Sequence, residues 1–192
     1  MSKETIETII QENINVKKDF LNSKSEIEIL KGIILLVNDT LQKGNKILFA
    51  GNGGSAADAQ HIAAELVGKF EKIRRPLPAI ALTTDTSIMT AVGNDFDFTQ
   101  IFERQIEALG QEGDIFFGFT TSGNSKNIIN SFISAKDKKI KTIALTSKGE
   151  NEITKIADYC IRVPSNSTAR IQECHIMIMH IICYFVDKNF ST

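Results

Sequence analysis

The sequence predicts a three-layer α/β fold: a doubly wound, five-stranded parallel sheet with a helical extension at its N-terminus. Two patterns point to it. Five short apolar runs each end in small or polar residues, as strands buried on both faces do, and stretches with helical periodicity alternate with them as in βαβ units. The chain length of 192 residues, 42% hydrophobic and 23% charged, suits one substantial core, so residues 1–192 are expected to form a single domain.

Residues 3–43 carry helical spacing, with Ile27, Leu30, Ile34, Val37 and Leu41 three and four apart, and read as two helices. Ile33, Leu35 and Leu36 lie off that stripe, which is more apolar surface than one packed face needs. A second buried face against another subunit accounts for them, so residues 1–43 are expected to serve oligomerisation and 44–192 to form the α/β core. The strands are expected at 46–50, 77–82, 114–119, 141–145 and 159–163. Helices are expected at 55–69, 98–110, 125–138 and 149–157, with a last one at 168–188. The stretch 86-TSIMTAVG-93 is followed by Asn94 and Asp95, a pair read from local sequence as a turn.

Twenty-two basic and twenty-three acidic side chains leave a formal charge of -1, and no Lys/Arg block exceeds two residues, so a nucleic-acid footprint is absent. The opening MSKETIETIIQEN lacks the apolar core of a secretory signal, and the apolar run 176–186 is broken by His180 and too short for a bilayer. A cytoplasmic protein with no membrane partner is expected. Cys160, Cys174 and Cys183 are odd in number and form no C-x-x-C pair, which fits free thiols.

In an open parallel sheet, ligands bind beyond the carboxyl ends of the strands. After 46-KILFA-50 comes 51-GNGGS-55, which runs directly into a helix; Asn52, Gly53, Gly54 and Ser55 there offer close backbone approach and a helix N-terminus to an anion. Gly51, Gly53 and Ala56 also satisfy G-x-G-x-x-A, a weak sign of a dinucleotide site. The acidic residue such a site wants about 20 positions on is missing: 83-TTD-85 lies more than 30 on. After 114-DIFFGF-119, the loop 120-TTSGNS-125 supplies the hydroxyls of Thr120, Thr121, Ser122 and Ser125 and a second helix N-terminus. Two such loops at neighbouring strand ends suit a phosphate monoester.

On the helix after the first loop, His61 and Glu65 are four apart and share a face; Gln172, Glu173, His175 and His180 lie on the last helix. By spacing alone the H-x-x-x-E pair reads as a surface ion pair as readily as a site, and His180, in 176-IMIMHIICYF-185, as a core histidine.

The segments 51-GNGGSAADAQHIAAEL-66, 76-PLPAIAL-82, 92-VGNDF-96, 120-TTSGNS-125 and 168-TARIQECH-175, in this order over nearly the whole chain, resemble the sugar isomerase (SIS) family. The resemblance implies a flavodoxin-like sheet and an aldose–ketose isomerase. It implies conversion of D-sedoheptulose 7-phosphate to D-glycero-D-manno-heptose 7-phosphate through an enediol, supplying nucleotide-heptose precursors of lipopolysaccharide or capsule. It also implies Glu65 and His180 as base and acid, one Zn²⁺ per subunit held by His61, Glu65, Gln172 and His180, and substrate contacts from Asn94, Asp95, Gln172 and both loops. A homotetramer is the expected assembly. Gln172 and His180 are eight residues apart, about 12 Å along an ideal helix, so the helix bends, the two come from different subunits, or one only neighbours the metal. Lys69 stands where the family carries arginine, and lacks its bidentate fork. An alternative within the family is a non-catalytic, DnaA-binding replication initiation factor, which lacks the histidine matching His180.

Overall fold

The computed structural model describes residues 5–191; residues 1–4 and 192, part of the expected helical extension and domain, lie outside the described residues. The five apolar runs form β1 (Ile47–Gly51), β2 (Ala79–Ala81), β3 (Ile115–Phe119), β4 (Lys141–Ser147) and β5 (Tyr159–Val163). All neighbours pair in parallel, in the order β2-β1-β3-β4-β5. β1 and β3 are buried at every position, which is why they read as unbroken apolar runs rather than alternating ones. The chain steps from β1 to the edge at β2 and returns to β3 on the other side. The switch point therefore lies between β1 and β3, and both small-residue loops leave the sheet there. This order also differs from the 3-2-1-4-5-6 arrangement of dinucleotide-binding sheets.

Alternate strand residues feed two cores. Ile47, Phe49, Phe117, Leu145 and Ile161 pack under α1 (Ile6–Asn22), α2 (Lys24–Gln42), α3 (Gly54–Val67) and α8 (Thr168–Phe190). Leu48, Ala50, Phe116 and Ala144 pack on the opposite face, against side chains of α4 (Thr86–Asp95), α5 (Glu103–Leu109), α6 (Lys126–Asp137) and α7 (Glu152–Ile156). α1 and α2 bury Val16, Phe20, Leu30, Ile33, Val37 and Leu41, while Ile6, Ile10, Leu21 and Leu35 remain exposed on their outer side. Among the described residues no helix is long and apolar enough to cross a membrane, and Cys160, Cys174 and Cys183 are free thiols.

Three local readings are corrected. The stretch after residue 85 is the helix α4, started by Asp85, whose carboxylate accepts the Ile88 amide at 2.9 Å; Asn94 and Asp95 end this helix instead of forming an independent turn. The helix expected at 98–110 splits into a 3₁₀ turn at Phe98–Gln100 and α5. β2 holds only three residues, because Pro76 and Pro78 lack ladder donors at its start.

His175 on α8 is fully buried, its ring 6.2 Å from that of Phe119 at the end of β3. Neither ring nitrogen has a hydrogen-bond partner of ordinary geometry. Burial pushes its pKa down to about 4 from 6.5, opposed by the Thr146 main chain. The unfolded chain therefore takes up this proton near pH 6.5 and the folded chain only near 4, so the contribution of neutral His175 is complete above pH 6.5 and is lost as pH falls through that window. Urea titrations are expected to show a loss of roughly 2–3 kcal/mol from this group between pH 7 and 4.5. A His175→Leu variant should lack that component; an identical pH slope in the variant would contradict the assignment.

Candidate active site

α3 starts at the end of β1 and runs along α8, and the contact between them is a close one. A Cβ on Gly54 would lie 2.7 Å from Nε2 of Gln172, so only glycine lets the Gln172 carboxamide rest on the first turn of α3. Further along both helices, His61 Nε2 lies 3.0 Å from Glu65 Oε1, and the His180 ring meets the His61 ring edge-on at 5.1 Å. One ligand atom from each of His61, Glu65 and His180 falls within 4.8 Å of the others. Gly54 faces Gln172 and His61 faces His180, so α3 and α8 run in the same direction.

His180 has a distinct environment. The Phe70 ring stacks on it at 5.3 Å, and its Nε2 is buried with no hydrogen-bond partner. Burial, then the neighbouring His61, holds its pKa below the usual 6.5, with Glu65 opposing them. Its imidazole is therefore neutral at pH 7. Two imidazoles and a carboxylate make a donor set that suits Zn²⁺ with a coordination position left open, and the unpartnered nitrogen is what a metal would satisfy. Three of the four anticipated ligands thus meet within one chain. Gln172 stands about 10 Å away along α3, seven residues back at Gly54.

The two small-residue loops are built differently from each other. In the first, Asn52 exchanges two amide hydrogen bonds with Asn127 of α6, each 2.9 Å, tying the two loops together, and Ser55 is buried. In the second, the buried Thr120 hydroxyl is 3.2 Å from Ser125 Oγ and accepts the Gly123 amide at 3.1 Å, while Ser122 Oγ accepts the Asn124 amide. Gly123 has φ +70°, and a Cβ there would fall 2.0 Å from Asn151 Cγ. Thr121 sits half-buried at the start of this loop. Neither α3 nor α6 has a side-chain cap; the Ser55 and Ala56 amides already donate to the Asn52 and Gly53 carbonyls, which leaves the Gly54 amide on α3 and those of Lys126 and Asn127 on α6 for an anion.

Asn94 and Asp95 are exposed at the end of α4, where the Asn94 amide donates to Asp95 at 2.8 Å; their side chains join none of the other candidates within the chain. Lys69 is exposed just beyond α3, and His175 lies in the core rather than in the cluster. Three contributors were not singled out from sequence. Phe70 covers His180 and Asn127 locks Asn52. Asp58 lies one turn before His61, with one carboxylate oxygen buried and unpartnered. Burial raises the Asp58 pKa to about 6 against the pull of His61. A carboxylate three residues before His61 was the only visible signal for any of them.

The sequence profile of the SIS domain matches residues 12–147. The phosphoheptose isomerase of Aquifex aeolicus is 53% identical over 186 residues, which span 96% of each chain. Among solved structures, the phosphoheptose isomerase GmhA of Neisseria gonorrhoeae superposes with a TM-score of 0.89 at 40% identity, covering 95% of this chain and 97% of that one. A phosphoheptose isomerase from Francisella tularensis gives 0.90 at 39% identity over 95% and 96%.

The Gly54–Gln172 contact is open to a double-mutant test. Gly54→Ala should displace only the tip of a flexible side chain, moving Tm by less than about 2 °C while lowering turnover of a sugar phosphate about tenfold. In a Gln172→Ala background the same change should cost less than about twofold. Fully multiplicative effects would contradict the contact.

Proposed function

The chain belongs to the SIS domain family, and from that premise we propose that it is an aldose–ketose isomerase interconverting D-sedoheptulose 7-phosphate and D-glycero-D-manno-heptose 7-phosphate. The observation that carries the chemistry is the convergence of His180 with His61 and Glu65, which lie on a helix whose uncapped N-terminus is at the switch point. A non-catalytic, initiator-binding role has no need of the His180 ring in that cluster.

Isomerisation moves one proton between adjacent carbons and one between their oxygens. Glu65 takes the proton from C1 of the ketose while the His180 N–H protonates the C2 carbonyl oxygen, giving an enediol. Glu65 then returns a proton to C2 and His180 removes that of the C1 hydroxyl, leaving the aldehyde; in the reverse direction Glu65 again carries the carbon-bound proton and His180 the oxygen-bound one. A neutral His180 keeps one N–H to give to the carbonyl oxygen, while its other nitrogen is the one that would hold a metal. His61, Glu65 and His180 would hold Zn²⁺, which when bound polarises the carbonyl as a Lewis acid. Asn52, Gly53, Gly54, Ser55, Thr120, Thr121, Ser122 and Ser125 bind the phosphate and the polar end of the sugar through backbone amides and hydroxyls. Gln172 approaches the substrate at the start of α3, or completes a metal shell from a neighbouring subunit.

Assembly follows from surface chemistry. Two apolar grooves of about 440 and 380 Å³ run between α1, α2 and α8, lined by residues that include Leu21, Ile27, Leu35, Ile181 and Phe185. Leu21 and Leu35 are 70% and 72% exposed, more than a lone chain gains from leaving in water. A symmetric homotetramer covers them and brings the exposed Asn94 and Asp95 to a neighbouring site. A cytoplasmic location fits the free cysteines, and the product serves heptose precursors of surface polysaccharide.

Glu65→Gln and His180→Gln should each lower kcat by about 10²–10⁴-fold with unchanged far-UV circular dichroism; near-parental turnover in either would overturn its role. A chelator should lower turnover and added Zn²⁺ restore it, whereas indifference to both would remove the metal from the account. Light scattering should give four chains per particle for the parent and fewer for Leu35→Glu, and a monomeric parent would contradict the assembly.

A further inference from the structure

We propose that the buried Asp187–Arg74 pair is a positioning device for the isomerase site. Reaching from α8, it fixes both the last turn of α3, which carries Glu65, and the 68–75 segment, which carries Phe70 onto His180.

The last carbonyls of a helix lack partners within it, and those of α3 find one in Arg74. Its Nη2 donates to Glu65 O at 2.7 Å and its Nη1 to Leu66 O at 2.9 Å and Arg75 O at 3.0 Å. A guanidinium at this end also complements the helix dipole. The remaining nitrogen, Nε, donates to Asp187 Oδ1 at 2.7 Å, and Asp187 Oδ2 accepts the amides of Glu71 and Lys72 at 2.7 and 2.8 Å. Both side chains are buried, 0% and 2% exposed.

Asp187 lies seven residues, two turns, beyond His180, so the two share a face of α8. One carboxylate therefore sets where the main chain of Glu65 lies relative to His180, and through two adjacent amides it seats Phe70 against the His180 ring. Burying an ion pair brings little net stability compared with apolar side chains of the same volume. What six directed hydrogen bonds supply that apolar packing does not is a single geometry. The main chain of Glu65 and the cover of His180 are the two things so fixed.

This inference rests on the reading of Glu65 and His180 as base and acid, and the test separates the two. Asp187→Asn, Arg74→Lys and Phe70→Leu are assayed well below their unfolding temperatures, beside Glu65→Gln and His180→Gln. Each of the first three is expected to lower kcat about tenfold to a hundredfold while moving KM for sedoheptulose 7-phosphate less than about threefold. Each should also alter the visible absorption of Co²⁺ added to the metal-free protein, a signature that a loss of stability alone leaves unchanged. Parental kcat and Co²⁺ spectrum in folded Arg74→Lys and Phe70→Leu would overturn the proposal, even if Asp187→Asn fails to fold. Full activity in Glu65→Gln and His180→Gln would overturn the catalytic reading and, with it, the need for any such device.

Discussion

The close parallel packing of α3 along α8 is the constraint on which the site depends. Gly54 has no side chain, and the tip of the Gln172 side chain occupies the space a Cβ would take. One turn spacing after another then repeats down the pair: His61 and Glu65 opposite His180, and the end of α3 opposite Asp187 through Arg74. The sheet contributes by placing both helices: α3 leaves β1 at the switch point, and α8 lies across the same face over Phe119 and Leu145.

The chemistry divides along these helices. The starts of α3 and α6, at the carboxyl ends of β1 and β3, present uncapped amides and hydroxyls, a setting for an anion that uses backbone dipoles. The middles of α3 and α8 carry the proposed proton-transfer groups, where burial beside Phe70 keeps His180 neutral. Separating the two regions by about 10 Å of helix matches a long sugar phosphate whose reacting carbons lie at the end opposite its phosphate. Asp58 stands between them, its carboxyl made less acidic by burial.

Much of this was legible in the sequence, and the reasons are local. Glycine and hydroxyl clusters after apolar runs, and a histidine four residues before a glutamate, report through nearest neighbours and periodicity. α4 was not recognised because Thr, Ser, Ile and Val are indifferent helix formers and Gly93 sits near its end; its one signal was Asp85, three residues before Ile88. Asn127 with Asn52, and Arg74 with Asp187, were invisible for a different reason. They pair across 75 and 113 residues of chain, and no spacing rule connects them before the fold does. His175 was separated from His180 on sequence only as the less favoured candidate, and its burial beneath β3 gives the physical ground for that order.

The claim that one chain assembles base, acid and metal ligands through α3 and α8 is tested most directly by anomalous scattering at the zinc edge from crystals grown with Zn²⁺. The account predicts one strong peak per chain, within about 2.0–2.2 Å of His61 Nε2, a Glu65 oxygen and His180 Nε2 of the same chain. A peak that excludes His180, or that draws Glu65 and His180 from different chains, would contradict it.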